Sequence, residues 1–265
     1  MEQLAPRTGS DTLERLIGAD WPAGQRCWGV LDGVLTGSTW VDRWPDPHWV
    51  AVTELADGTT YFGGTPEPAE VTKVFARLAP ASHEIVVGLR GDLDRIVAVL
   101  PPAPDYDGRA IDFSARRPDG DSGAPAVGLP PGARLAPMSV DLFRRSQWFA
   151  DTVYAFGSIE RWQELGLGVG VLVDEILVSE ALAGPAIRET MEMGIVTQPD
   201  HRGRGYATAA ASLLADECEA RGNEVWWNAN ADNLPSLAVA RRIGFSRERP
   251  YRVLMWRSER FRDDA

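Results

Sequence analysis

Apolar residues return every third or fourth position in EPAEVTKVFARL (67–78), which puts Val71, Val74, Phe75 and Leu78 on one face and predicts a half-buried helix. Just before it, HWVAVTEL (48–55) and TTYFGG (59–64) flank Ala-Asp-Gly, the pattern of a β-hairpin. HEIVVGL (83–89) reads as a strand, GDLDRIVAVL (91–100) as a helix and RAIDFSAR (109–116) as an alternating strand. Further on, ARLAP (133–137) predicts a strand, and Ser139 caps a helix through VDLFRRSQWF (140–149). A loop at ADTVYAFG (150–157) leads to a helical SIERWQEL (158–165). GVGVLVD and EILVSEALAG form a hairpin around Asp174 and Glu175, and TMEMGIVT (190–197) is a strand ending at QPDHRGRG. A helix follows over 207–221, with Ala207, Ala210, Ala211, Leu214 and Cys218 on one face and Gly222 as its stop. EVWWNAN (224–230) is a strand, LPSLAVARRIGF a helix ending at Gly244, and YRVLMW (251–256) a last strand.

Strands alternating with helices predict an α/β (α+β) protein with a mixed sheet. The segment RRPDGDSGAPAVGLPPGA breaks the periodicity and divides the chain into an N-terminal α/β domain (1–116), a linker (117–131) and a C-terminal domain (132–265). The first half repeats the rhythm of the second. It is either a degenerate copy of the same core or an unrelated α/β cap. Trp21, Trp28, Trp40, Trp44 and Trp49 crowd its front, and packing explains them better than an aromatic ligand cage.

At 265 residues, with 44% hydrophobic and 25% charged residues, the chain can bury one large or two small cores. No apolar run is long enough to span a bilayer, and the start, MEQLAPRTGSDTLERL, lacks the basic and apolar blocks of a signal peptide. Cys27 and Cys218 read as free thiols, which fits a cytoplasmic protein. His48, His83 and His201 are too scattered to hold zinc, and no metal is expected. A formal net charge of -11 argues against nucleic acid and anionic membrane and favours a cationic partner.

Against that acidity, Arg202-Gly203-Arg204-Gly205 is a local basic turn between a strand and a helix. The first N–H groups of a helix have no partner within it, and the helix dipole adds positive charge there. Glycine lets an anion approach the backbone, and Ala207 is small enough to do the same. Such a turn suits a phosphate or pyrophosphate. It lacks the Gly-Lys-Ser/Thr ending of a nucleotide-hydrolysing loop, and no acidic ribose partner follows.

The turn and its neighbours resemble the GNAT superfamily of acyl-CoA-dependent N-acetyltransferases. The family's coenzyme signature, Gln/Arg-x-x-Gly-x-Gly/Ala, is matched by Arg202, Gly205 and Ala207, after Pro199. Its Asn-x-x-Ala/Ser and Gly-Phe are matched by Asn233, Ser236, Gly244 and Phe245. The likeness covers about residues 130–257 and is closest to longer bacterial members with an extra N-terminal half. It implies acetyl-CoA as co-substrate, contacted by Val196, Thr197, Arg202, Gly203, Arg204, Gly205, Tyr206, Ala207, Asn233 and Ser236. It also implies direct attack of an amine, from a small molecule or a peptide, on the thioester; a homodimer is left open.

An amine with a pKa of ~10.4 must lose a proton before it attacks. In the family a glutamate on the strand beside the thioester often takes it, which points to Glu192, with Glu189 in reserve. Alternation sets Glu192 with Gly194 and Val196, opposite Met191, Met193 and Ile195. A backbone N–H of Val196 or Thr197 would hold the oxyanion. Where the family often has a tyrosine to protonate the leaving thiolate, this chain has Ala240. Either the thiolate leaves without an acid, or Tyr251, Tyr206 or Tyr154 reaches in from elsewhere; a non-catalytic acyl-CoA-binding protein is the competing reading. Trp226 and Trp227 fall on opposite faces of their strand, one for the core and one a candidate acceptor contact. Trp148, Phe149 and Trp162 sit in the segment that lines the acceptor site in relatives.

Overall fold

A computed structural model describes residues 1–18, 24–55, 58–78, 84–89, 103–117 and 128–257. The chain forms two compact units: Met1–Ala110 with the stretch from Pro250, and Ile111–Arg249. Both crossings fall inside long strands, so the division does not coincide with the Pro/Gly-rich segment. Residues 118–127 of that segment, the 91–100 helix, Trp21 and His83 lie outside the described residues.

The first unit runs β1 (Glu2–Leu4), α1 (Ser10–Ile17), α2 (Gly24–Leu31), β2 (Gly37–Val41), β3 (Trp49–Glu54), β4 (Thr59–Gly64), α3 (Pro68–Leu78) and β5 (Glu84–Leu89). β1 to β4 pair antiparallel in sequence, and α3 carries the chain to β5, parallel to β4. The hairpin of β3 and β4 and the amphipathic α3 are as the periodicity predicts; Val71, Val74 and Phe75 are buried. Trp28 and Trp49 are core residues, and the Arg77 guanidinium stacks on Trp40.

The second unit takes β6 (Tyr106–Arg116) from Ile111 on, then β7 (Ala133–Pro137), α4 (Val140–Phe143), α5 (Phe149–Phe156), α6 (Ile159–Leu165), β8 (Leu167–Val173), β9 (Ile176–Ala183) and β10 (Thr190–Thr197). It ends with α7 (Tyr206–Ala220), β11 (Glu224–Asn230), α8 (Leu234–Arg242) and β12 (Phe245–Arg257) as far as Arg249. The strand order is β12-β6-β11-β10-β9-β8-β7. β10 and β11 are parallel; β7 to β10 are antiparallel in sequence. The path β7, helices, β8, β9, β10, α7, β11 repeats that of β1, helices, β2, β3, β4, α3, β5. The mixed sheet and the recurring rhythm predicted from the sequence are thus both present.

Two apolar layers cover the second sheet. Ala181 and Ala183 of β9 and Met191 and Met193 of β10 pack with α7 and α8, around Leu214, Cys218 and Trp227. The alternate residue Leu182 joins Phe143, Phe156 and Trp162 under α4 to α6. Strand alternation therefore splits each of these strands between the two layers. Asp174 and Glu175 turn the β8–β9 hairpin with left-handed backbones (φ 48° and 61°).

One predicted helix is two. Ser139 does cap α4, its hydroxyl accepting from the Leu142 N–H at 3.2 Å. The helix does not run on past this point: the Arg145 and Ser146 N–H groups bond three residues back, to Leu142 O and Phe143 O, and the next two bond to side chains, Gln147 N–H to Glu180 and Trp148 N–H to Ser146. Residues expected as a loop then form α5, ended by Gly157 at φ 84°.

Candidate active site

The site grows from the end of β10. Parallel pairing with β11 runs from Thr190↔Glu224 to Met193↔Trp227 and stops there, although both strands continue. Pairing with β9 goes on to Thr197↔Ser179. The last four residues of β10 therefore have a ladder on one side only. The Gln198 N–H donates to Val178 O on the β9 side. By alternation the Val196 N–H turns the same way, and those of Ile195 and Thr197 turn toward the β11 side. Of the two oxyanion candidates, Thr197 turns its N–H to the side without a ladder and Val196 turns its own toward β9. Ile195, which sequence reading placed only in the core, shares the open side with Thr197.

β10 leads into a turn with no side-chain cap. A short 3-10 turn, Pro199–His201, precedes Gly203 (φ 74°) and Gly205 (φ 81°), which caps α7. Both glycines hold backbones that a β-carbon disfavours. The loop braces itself: Arg202 Nε donates to Thr197 O (3.1 Å) and Arg204 to Asp200 O (3.2 Å). Arg202, Gly203 and Arg204 are exposed, and a Cβ on Gly203 would meet nothing within 4 Å. The first turn of this 15-residue helix has no side-chain cap, and two exposed arginines precede it. Ala207 is half-buried in that turn, whereas Tyr206 points into the core, its ring 6.5 Å from that of His201.

Other predicted residues take structural places. Asn233 caps α8, its side-chain oxygen accepting from Ser236 N–H (3.3 Å). The Ser236 hydroxyl accepts from Trp227 Nε1 (3.1 Å). Trp226 is only 3% exposed, its indole donating to the buried Asp112, which also pairs with Arg249. Both tryptophans are therefore committed to the sheet, and neither is an open acceptor contact. Ala240 is fully buried, so its methyl fills core where a tyrosine would need room. Among the substitutes, Tyr154 is exposed on α5 and Tyr251 belongs to the first unit. There Tyr251 lines an open surface cavity of about 650 Å³ with Arg109, Asp107 and Arg252.

The two sequence candidates for the base are separated. Glu189 is exposed in the turn before β10, with φ 62°, at the end of the strand away from the stretch that lacks β11 pairing. Glu192 is half-buried where β10 still pairs with Trp226, and its carbonyl accepts from Gly184 N–H. A third carboxylate was not singled out: Glu180, on β9 directly across from Val196. It is buried without an ionic partner among the described residues, and burial pushes its carboxyl above the usual range against hydrogen bonds from Ser146 and Gln147. Its signal in the sequence is one acid inside the apolar run ILVSEALA. On the same face Trp148 covers Gly194, where a Cβ would come within 3.0 Å of the indole. The thiols are inert: burial pushes Cys218 up to about 12 and Cys27 well above its ordinary value.

The profile of the GNAT acetyltransferase family matches residues 17–254, across both units. The chain belongs to this GNAT acetyltransferase family. It is 28% identical over 127 residues to the uncharacterized N-acetyltransferase YdfB of Bacillus subtilis (strain 168), a match covering 47% of this chain and 49% of that protein. The alignment thus spans about half the length of that relative. The fold is similar to a GCN5-related N-acetyltransferase-like protein from Streptococcus suis 89/1591 (TM-score 0.74, 23% identity, 94% of this chain and 100% of the other). A tandem GNAT protein from the clavulanic acid biosynthesis pathway also aligns over 97% of this chain and 98% of its own (TM-score 0.58, 12% identity). The GNAT fold therefore accounts for both units, and for the repeated path of strands and helices. At the strand-to-helix turn of the first unit acids stand in place of arginines: Glu67 and Glu70 sit at the start of α3, and Glu70 accepts from the Glu67 N–H (2.8 Å).

Proposed function

We propose that this GNAT protein transfers an acetyl group from acetyl-CoA to a primary amine of a cationic small molecule or a peptide. The observation that supports this is the one-sided end of β10 running into the uncapped start of α7. The pyrophosphate sits on the N–H groups of α7 between Arg202 and Arg204. The thioester lies in the wedge between β10 and β11, where the N–H of Ile195 or Thr197 meets the developing oxyanion. The amine enters from the α4 to α6 side, past Trp148, and gives its proton to a carboxylate of that face. The sequence candidate there is Glu192; Glu180 is the one the geometry adds. The thiolate leaves without tyrosine help from position 240. Two free buried thiols and the acidic surface fit a cytoplasmic enzyme with a cationic acceptor.

Calorimetry with coenzyme A, together with thiol release from acetyl-CoA over a panel of polyamines, amino sugars and peptides, tests the reading. Glu192→Gln and Glu189→Gln belong in the same assay. The Gly205→Val variant puts a β-branched side chain at a left-handed backbone under the pyrophosphate, and is expected to lose coenzyme affinity while remaining folded. Coenzyme affinity equal to the parent's would sink the turn as the anion site. Coenzyme binding with no thiol release from any amine would favour the non-catalytic reading, for which the buried Ala240 already speaks.

A further inference from the structure

Glu180 is 2% exposed, and its two oxygens differ. Oε1 accepts from the Gln147 N–H at 3.0 Å, while buried Oε2 makes no hydrogen bond. The Ser146 hydroxyl also donates to the carboxylate. An acceptor oxygen kept from water with nothing to accept is rare in a folded protein and calls for an explanation. The residue sits in register with Val196, in the stretch of β10 that has lost β11. Glu192, by contrast, sits where that pairing is intact.

We propose that Glu180 receives the acceptor, its free oxygen taking a hydrogen bond and then a proton from the primary ammonium group. The proposal rests on the acyl-transfer reading above. The ammonium gives one proton to the carboxylate, and the freed nitrogen pair forms the C–N bond. The C–S pair leaves with the thiolate, and the nitrogen's second proton passes to solvent or to sulfur. Because Oε2 has no exposed surface, the amine reaches it with an outward shift of the Ser146–Trp148 turn. That turn is non-helical and Gln147 is exposed, so the shift breaks no helix. Catalytic hydrogen bonds often become aligned only when substrate is bound.

Burial is the largest cause that moves the Glu180 carboxyl, ahead of its hydrogen bonds to Ser146 and Gln147. β8 carries no ionisable residue between Leu167 and Val173. On β10 the face holds Glu192. At the helical side Arg144 pairs with Asp141, Arg145 donates to Glu175 O, and Asp151 is exposed.

The test is thiol release from acetyl-CoA with spermidine, glucosamine and a lysine peptide, across pH, by the full chain. For Glu180→Gln, kcat/KM is expected to fall about 10²–10⁴-fold and to recover partly as pH approaches the amine's pKa, with the coenzyme Kd unchanged. Ser146→Ala removes a hydrogen bond that favours the carboxylate, so the acid limb of the pH profile should move upward. This second variant carries the test if Glu180→Gln no longer binds coenzyme. A Glu180→Gln variant that turns over like the parent, a limb that Ser146→Ala does not move, or a loss found only in Glu192→Gln overturns the proposal while acyl transfer stands. A parent that releases no thiol with any amine sinks both.

Discussion

A carboxylate buried without a counter-charge changes how stability depends on pH. Burial holds Glu180 above its unfolded pKa, so the protonated form favours the folded chain. That contribution is complete below the unfolded value of about 4.3 and is lost as pH rises through the folded one. Asp107 has the opposite sign: Arg252 holds its carboxyl low, so its share is present at neutral pH and lost on acidification. Glu180→Gln cannot ionise, and is expected to melt a few °C above the parent near pH 8, with the gap closing near pH 4. Thermal melts at both pH values check this; an equal gap at both would show that ionisation of Glu180 costs the fold nothing. Such a gain in stability with a loss of rate marks a site strained for function. The other two glutamates were legible because one precedes a readable strand and the other lies in it. It hid Glu180, whose burial depends on a turn 33 residues away.

Elements were the most legible level. Periodicity gave the strands and helices around the turn, since each has one face on a core. The break at Arg144–Trp148 was not readable, because long-range and local side-chain bonds decide it. Nor was the end of β10–β11 pairing at Met193, for alternation continues past it unchanged. The family positions Asn233 and Ser236 were readable, but what they do locally is hold α8: one caps it, and the other ties it to Trp227. Asn233→Ala removes the cap and is expected to cost about 0.5–2 kcal/mol in urea unfolding. Coenzyme affinity should change little. A loss of affinity larger than the loss of stability would instead place Asn233 against the ligand.

At the scale of the whole chain, the Pro/Gly-rich segment is a poor place to cut. Starting at Gly132 discards the β6 neighbour of β11, with the buried Phe113 and Asp112. It also discards Arg116, whose guanidinium binds Asp216, Glu219 and the Ile243 carbonyl. Residues 111–249 are expected to fold and bind coenzyme A; residues 132–265 are expected to aggregate or melt far lower. Circular dichroism melts and calorimetry on the two pieces check this, and equal behaviour would make β6 dispensable. The crossings inside β6 and β12 also set an order of assembly on the ribosome. β5 pairs with Arg252–Arg257, so the half that is synthesised first lacks a strand until residues 252–257 emerge. Every strand of the second unit has been made by residue 249. The half translated second can therefore finish first, and the half translated first waits, with the β5 edge unpaired in the meantime.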